Sequence, residues 1–137
     1  MKNRTFATLG LLALLATVSA FGQQRMTFDI PFEFSTGTTV IPAGQYTVTQ
    51  EPQSGVTILA CRASKVDVRF LTRQAGSYSA SGEAKLVFNK YGNSYFLAAI
   101  WSPTGVGGVL PTSKTEHETT LRAALTPRDQ VVLAARR

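Results

Sequence analysis

From Met26 to Phe34 the chain alternates strictly. Met26, Phe28, Ile30, Phe32 and Phe34 share one parity, and Thr27, Asp29, Pro31 and Glu33 share the other. Successive side chains of a strand point to opposite faces, so this period of two predicts a half-buried strand. Pro31 has no N–H to donate, which predicts an edge position or a bulge there. Residues 38–41 predict a short strand that ends at Pro42-Ala43-Gly44, a sequence suited to a tight turn. Residues 45–50 alternate again, with Tyr46 and Val48 inward, and residues 56–62 predict the next strand. Along residues 65–73, Val66, Val68 and Phe70 face one way. Lys65, Asp67, Arg69 and Arg73 face the other, with Leu71 among them. Residues 74–82 are rich in Ser, Gly and Ala and predict a flexible loop.

Residues 83–89 and 94–101 predict a hairpin that turns at Tyr91-Gly92-Asn93. Its second strand carries Tyr95-Phe96-Leu97-Ala98-Ala99-Ile100-Trp101, apolar at every position. Such a run greases both faces and is an aggregation hazard if one is left open. One face is expected in the main core with Phe28, Phe32, Tyr46, Val68 and Phe88. For the other face the expected cover is a helix. Residues 102–111 hold two prolines and three glycines and predict irregular chain. The period then changes. Ser113-Lys114-Thr115-Glu116 fits a capping box, in which the Ser and Glu side chains satisfy free N–H groups at a helix start. A short helix is expected over residues 115–125, with Leu121, Ala124 and Leu125 as a narrow apolar stripe. Thr126-Pro127 stops it, and residues 129–135 predict a last strand. The fold expected is mainly β: an antiparallel β-sandwich or curled half-barrel of about seven or eight strands with one short helix in the C-terminal half. The connections are too short for the crossover helices of a parallel sheet.

Three stretches carry a resemblance. They are Phe28-Asp29-Ile30-Pro31-Phe32-Glu33-Phe34, Val40-Ile41-Pro42-Ala43-Gly44-Gln45-Tyr46-Thr47-Val48, and the hairpin LVFNKYGNSYFL starting at Leu86. Together they resemble a family of small secreted bacterial β-rich proteins with an IPF-x-F opening, a PAG-x-Y turn and an LVF-x-x-YG-x-x-YFL hairpin. The resemblance implies a secreted β-rich domain and brings no catalytic residue with it.

The first residues add a destination. Lys2 and Arg4 precede an apolar stretch over residues 6–18, and Val18-Ser19-Ala20 fits a cleavage site. This is the anatomy of a secretory signal peptide, and the stretch is short for a membrane span, which needs about 20 residues. The organisation expected is a signal peptide over residues 1–20 and a single β-rich domain over residues 21–137, with cleavage after Ala20 or Gly22. The product is then exported, periplasmic or extracellular, with no transmembrane segment after cleavage. The chain carries 14 Lys+Arg against 8 Asp+Glu, a formal net charge of +6. Without Lys2 and Arg4 the excess is +4. That modest charge does not require nucleic acid and suits weak attraction to an anionic glycan or lipid headgroup.

Chemistry is sparse in the pattern. His117 is the one histidine, and Glu116 and Glu118 beside it point about 100° apart on a helix, so the trio does not converge on a metal. Cys61 is the one cysteine and lies in an apolar run, where a buried, inert thiol is expected. Asp29 and Glu33 sit about 13 Å apart on the solvent side of the first strand, beyond the spacing of a glycosidase pair. Gly105-Val106-Gly107-Gly108 is not followed directly by a helix, as a phosphate loop would be. No catalytic, metal or cofactor-binding residue and no cofactor is therefore assigned. The contact residues expected for a ligand or partner are Phe96 and Trp101, beside the apolar face, and the basic stripe Lys65, Arg69 and Arg73, with Tyr78 nearby. The expected function is that of a non-enzymatic exported β-domain, a binding or structural module in the cell envelope or outside the cell, whose partner is an envelope protein, an anionic glycan or a lipid headgroup. The alternatives are a carrier of a small apolar or amphiphilic ligand in a groove between sheet and helix, and a hydrolase with an unrecognised site.

Overall fold

The structure is a computed structural model that describes residues 24–51, 53–76, 82–123 and 128–136. The expected signal peptide, the cleavage region, Tyr78, Ala124, Leu125 and Thr126-Pro127 lie outside the described residues. The chain is mainly β, as expected, with two sheets and one short helix among the described residues. Sheet A has four strands in the order β1 (Gln24–Ile30), β4 (Gly44–Glu51), β5 (Val56–Cys61), β6 (Val66–Leu71). Sheet B has seven. β11 (Asp129–Ala134), β8 (Lys85–Tyr91), β9 (Ser94–Trp101), β10 (Gly107–Val109) and β7 (Arg73–Ala75) run in that order. β2 (Phe34–Thr36) pairs with β9 in parallel through Ser35 and Phe96, and β3 (Thr39–Ile41) pairs with β2. The sheets enclose one core and do not close into a barrel.

Strands number more than expected because two predicted strands each change sheet partway. The alternation from Met26 to Phe34 is real, but pairing with β4 ends at Ile30. Pro31 to Glu33 carry the chain across, and Phe34 joins sheet B. The missing N–H of Pro31 suits a corner better than a ladder. Because both inner faces line the same core, the apolar parity survives the switch: Met26, Phe28, Ile30 and Phe34 are all buried. The second strand breaks at Thr72. β6 pairs with β5, and β7 pairs with β10 on the other sheet.

Two further expectations are corrected. Gln74 and Ala75 belong to β7 rather than to a loop. The stretch expected to be irregular contains β10, whose Gly107 and Gly108 pair with both β9 and β7. Those glycines permit close packing. A Cβ on Gly107 would overlap Trp101 Cε3, and one on Gly108 would lie 2.6 Å from Thr72 Cβ. Absent side chains thus let Trp101 and Thr72 cover the strand, which explains why glycine here does not mean a loop.

The core is built around Phe28, Phe34, Tyr46 and Phe88, all fully buried, with Leu59, Leu86, Leu97 and Ile100. Phe34 meets Tyr46 and Phe88 edge-on, with ring centroids 5.8 and 5.2 Å apart. Phe32 stacks on Tyr95 at 3.9 Å and closes one end. The flank between β1 and β11 is closed by Arg136 N–H donating to Thr27 O (2.8 Å) and by the exposed ion pair of Arg136 with Asp29 (3.4 Å).

Candidate functional site

The opposite flank is open. Sheet A ends there at β6, and across from it sheet B ends in the short β2–β3 hairpin, which turns at Gly37 with φ +63°. Thr36 and Thr39 form one wall of the resulting cleft, Val68, Arg69 and Phe70 the other, and Leu110 completes it. Its volume is about 540 Å³. Val68 and Phe70 point toward the core yet stay half-buried, because among the described residues no strand lies beyond β6 to cover them. Thr36 is only 4% exposed, and its Oγ1 has no hydrogen-bond partner. A buried hydroxyl left unpaired costs about 1–3 kcal/mol.

The backbone of β6 adds directional information. Thr72 N–H donates to Gly55 O at 2.9 Å. In an antiparallel ladder, hydrogen-bonded pairs alternate, so Val66, Val68 and Phe70 direct their backbone groups to β5. Asp67, Arg69 and Leu71 therefore turn their N–H and C=O groups to the open edge.

The outer face of sheet B answers the question posed by the apolar run at residues 95–101. A bulge beside Val87/Phe88 shifts the register, so Leu97 and Ile100 face the core while Phe96 and Ala99 face outward. Phe96 is buried with Tyr91 against it, ring centroids 5.9 Å apart. Over this face lies helix α1 (Lys114–Arg122), but its apolar stripe is not what seats it. Leu121 is 66% exposed, and the buried helix residue is Glu116 at 5%. Glu116 Oε1 accepts from Asn89 Nδ2 (2.8 Å) and from Tyr91 OH (3.3 Å). Asn89 Oδ1 in turn accepts from Arg128 Nη2 (2.8 Å) and Gln130 Nε2 (3.4 Å). The capping half of the expected box is present, since Ser113 Oγ accepts from Glu116 N–H at 3.0 Å. The carboxylate half turns inward to the sheet instead of back to the cap.

The anticipated contact residues are thereby dispersed. Phe96 is under the helix, Trp101 rests half-buried over Gly107, and Arg73 is on sheet B. Lys65, in the β5–β6 turn with φ +51°, and Arg69 share the exposed side of sheet A's edge, and Arg69 lines the cleft. Sequence reasoning passed over Thr36 as a wall residue, because Ser35-Thr36-Gly37 reads as a turn and its partner across the cleft is remote in sequence.

Cys61 closes the β5–β6 turn and is buried as expected. The Ser64 hydroxyl and the N–H groups of Ser64 and Ala63 hold its thiol below the ordinary range by favouring the thiolate. Burial, together with the neighbouring Cys61, pushes the Tyr46 phenol up. Tyr46 OH donates to Pro42 O at 2.6 Å, which ties the PAG-x-Y turn to the core. His117 is exposed on the helix outside sheet B, so Cys61 and His117 lie on opposite sides of the sandwich. Among the described residues no group of three or more His, Cys, Asp or Glu side chains is placed to hold a metal ion, and no helix is long and apolar enough to cross a membrane.

Fold and cleft together define the class: a two-sheet antiparallel β-sandwich, open on one flank and capped by a helix on its outer face. Comparison with family models, with curated proteins and with solved structures finds no match to this chain.

Proposed function

We propose that this chain is a non-enzymatic exported β-domain, a binding or structural module that acts in the cell envelope or outside the cell. The observation that carries the reading is the contrast between its two polar features. The dense polar cluster of Glu116, Asn89, Tyr91, Arg128 and Gln130 is spent on seating a helix. The open cleft offers apolar side chains and hydroxyls with the single charge of Arg69, a lining suited to holding a partner. The N-terminal pattern and the family resemblance support export. A second reading rests on the same cleft: about 540 Å³ falls within the range of small-molecule pockets, so a small apolar or amphiphilic ligand is the alternative occupant.

Three measurements test this. Expression of the full chain in an exporting bacterial host should yield a product shortened after Ala20 or Gly22 in the periplasm or medium; full-length chain confined to the cytoplasm refutes export. Titration of isotope-labelled protein with solubilised envelope material should shift the amides of Val68, Phe70 and Leu110. Turnover of ester, peptide or glycoside substrates that survives purification and is lost on mutating Cys61 or His117 would refute the non-enzymatic reading.

A further inference from the structure

Resting on the binding-module reading, we infer that the cleft receives an extended peptide segment of a partner protein, added as a fifth strand to the free edge of β6. Four observations converge on that occupant. First, β6 is the end of sheet A, and Asp67, Arg69 and Leu71 present their N–H and C=O groups to the open side. A strand is the ligand that satisfies such a row of alternating donors and acceptors. Second, Val68 and Phe70 are left half-covered on the inner side, so every second side chain of an added strand would enter the cleft and complete the core there. Third, the facing wall carries Thr36, whose buried hydroxyl has no partner, so that wall is not fully satisfied as it stands. Fourth, Lys65 and Arg69 lie on the exposed side of the same edge, on either side of Asp67. Residues of an added strand opposite the two cations are favoured when acidic, and the one opposite Asp67 when uncharged.

The partner segment is thus defined by chemistry: about six residues matching the length of β6, apolar at alternate positions, with acidic residues opposite Lys65 and Arg69. The opposite flank does not offer this, because the Arg136 N–H already donates to Thr27 O on β1. The chain's net positive charge supports an acidic partner over a basic one.

The test uses the signal-free protein, isotope-labelled, and capped six-residue peptides in which valine alternates with glutamate, threonine and glutamate in turn. Saturable shifts are expected at Asp67, Arg69, Leu71 and Thr36. Methylating alternate peptide nitrogens keeps every side chain but removes the ladder donors, and should weaken binding more than tenfold. Arg69→Glu, at an exposed position, should weaken the acidic peptide about tenfold and restore affinity for a lysine-bearing counterpart. Equal binding of the methylated and unmethylated peptides overturns strand addition and leaves the binding-module reading standing. Binding of laurate in the cleft with no binding by any peptide also overturns it, in favour of the small-ligand carrier. If neither envelope material nor any probe shifts the cleft amides, the inference and the reading beneath it both fall.

Discussion

Glu116 makes a claim that separates two accounts of why the helix stays on the sheet. If apolar burial holds it, truncating Leu121 should matter most. If the carboxylate holds it, truncating Glu116 should. A nine-residue helix is marginal alone in water, so its stability comes from docking. Glu116→Ala strands Asn89 Nδ2 and Tyr91 OH, both buried and both donating to Glu116 Oε1. Each unsatisfied donor costs about 1–3 kcal/mol, so a loss of roughly 2–6 kcal/mol is expected, less whatever water recovers in the space left. Against a total stability of about 5–15 kcal/mol that is a large fraction. Glu116→Gln keeps an acceptor oxygen in place and loses only the charge assistance, about 1 kcal/mol. Leu121→Ala removes an exposed side chain and should stay within about 0.5 kcal/mol. Urea unfolding followed by circular dichroism gives all three values. A cycle with Asn89→Ala should return a coupling of about 1–3 kcal/mol, because the two side chains are in direct contact. A larger loss for Leu121→Ala than for Glu116→Ala, or a coupling indistinguishable from zero, refutes the argument.

Other outcomes follow from the packing and the titratable pair. Thr36→Val replaces an unpaired buried hydroxyl with a methyl of the same shape and should stabilise the free protein by about 1 kcal/mol in urea melts; destabilisation would mean the hydroxyl has a partner. Gly107→Ala drives a Cβ into the Trp101 ring and should cost about 1–3 kcal/mol with a change in tryptophan fluorescence, and Trp101→Ala should relieve most of that cost in the double variant. The folded state lowers the Cys61 pKa from 9.0, so under reducing conditions the stability it adds is present above pH 9.0 and is lost as pH falls through the folded value. It raises the Tyr46 pKa from 10.0, so stability present below pH 10.0 is lost as pH rises through the folded value. Urea midpoints across this range should show the first trend vanish in Cys61→Ser and the second in Tyr46→Phe. Cys61, only 4% exposed, should resist iodoacetamide until the protein unfolds, and rapid labelling of native protein would contradict its burial.

Most of the fold was legible because alternation reports burial directly. The inward residues of β1 and β4 follow from parity alone, and the capping serine follows from its spacing to Glu116. In β5 parity is silent, because Thr57 is buried while Val56 and Ile58 face outward. Sheet membership was not legible, for a physical reason. In a sandwich both inner faces feed one core, so a strand that changes sheet at Pro31 or Thr72 keeps its apolar period and gives no sign of the crossing. The glycines of β10 misled in another way: the pattern cannot tell a glycine that bends the chain from one that makes room for an indole.

The apolar run at residues 95–101 had two faces to account for, and its burial turned out to depend on polar atoms. The bulge at Val87/Phe88 sends Phe96 outward beside Asn89 and Tyr91, and a glutamate, not a leucine, brings the helix down over them. No hydrophobic pattern encodes that, because Glu116 reads as a solvated cap residue until the sheet beneath it supplies two donors. The same logic locates the functional candidate. On the helix side every buried donor and acceptor of the Glu116 cluster has found its partner within the chain. On the β6 side a ladder edge is open, Val68 and Phe70 are half-covered, and the Thr36 hydroxyl is left unpaired. Apolar cover and hydrogen bonding are both incomplete at that one flank, and a single extended segment would complete both.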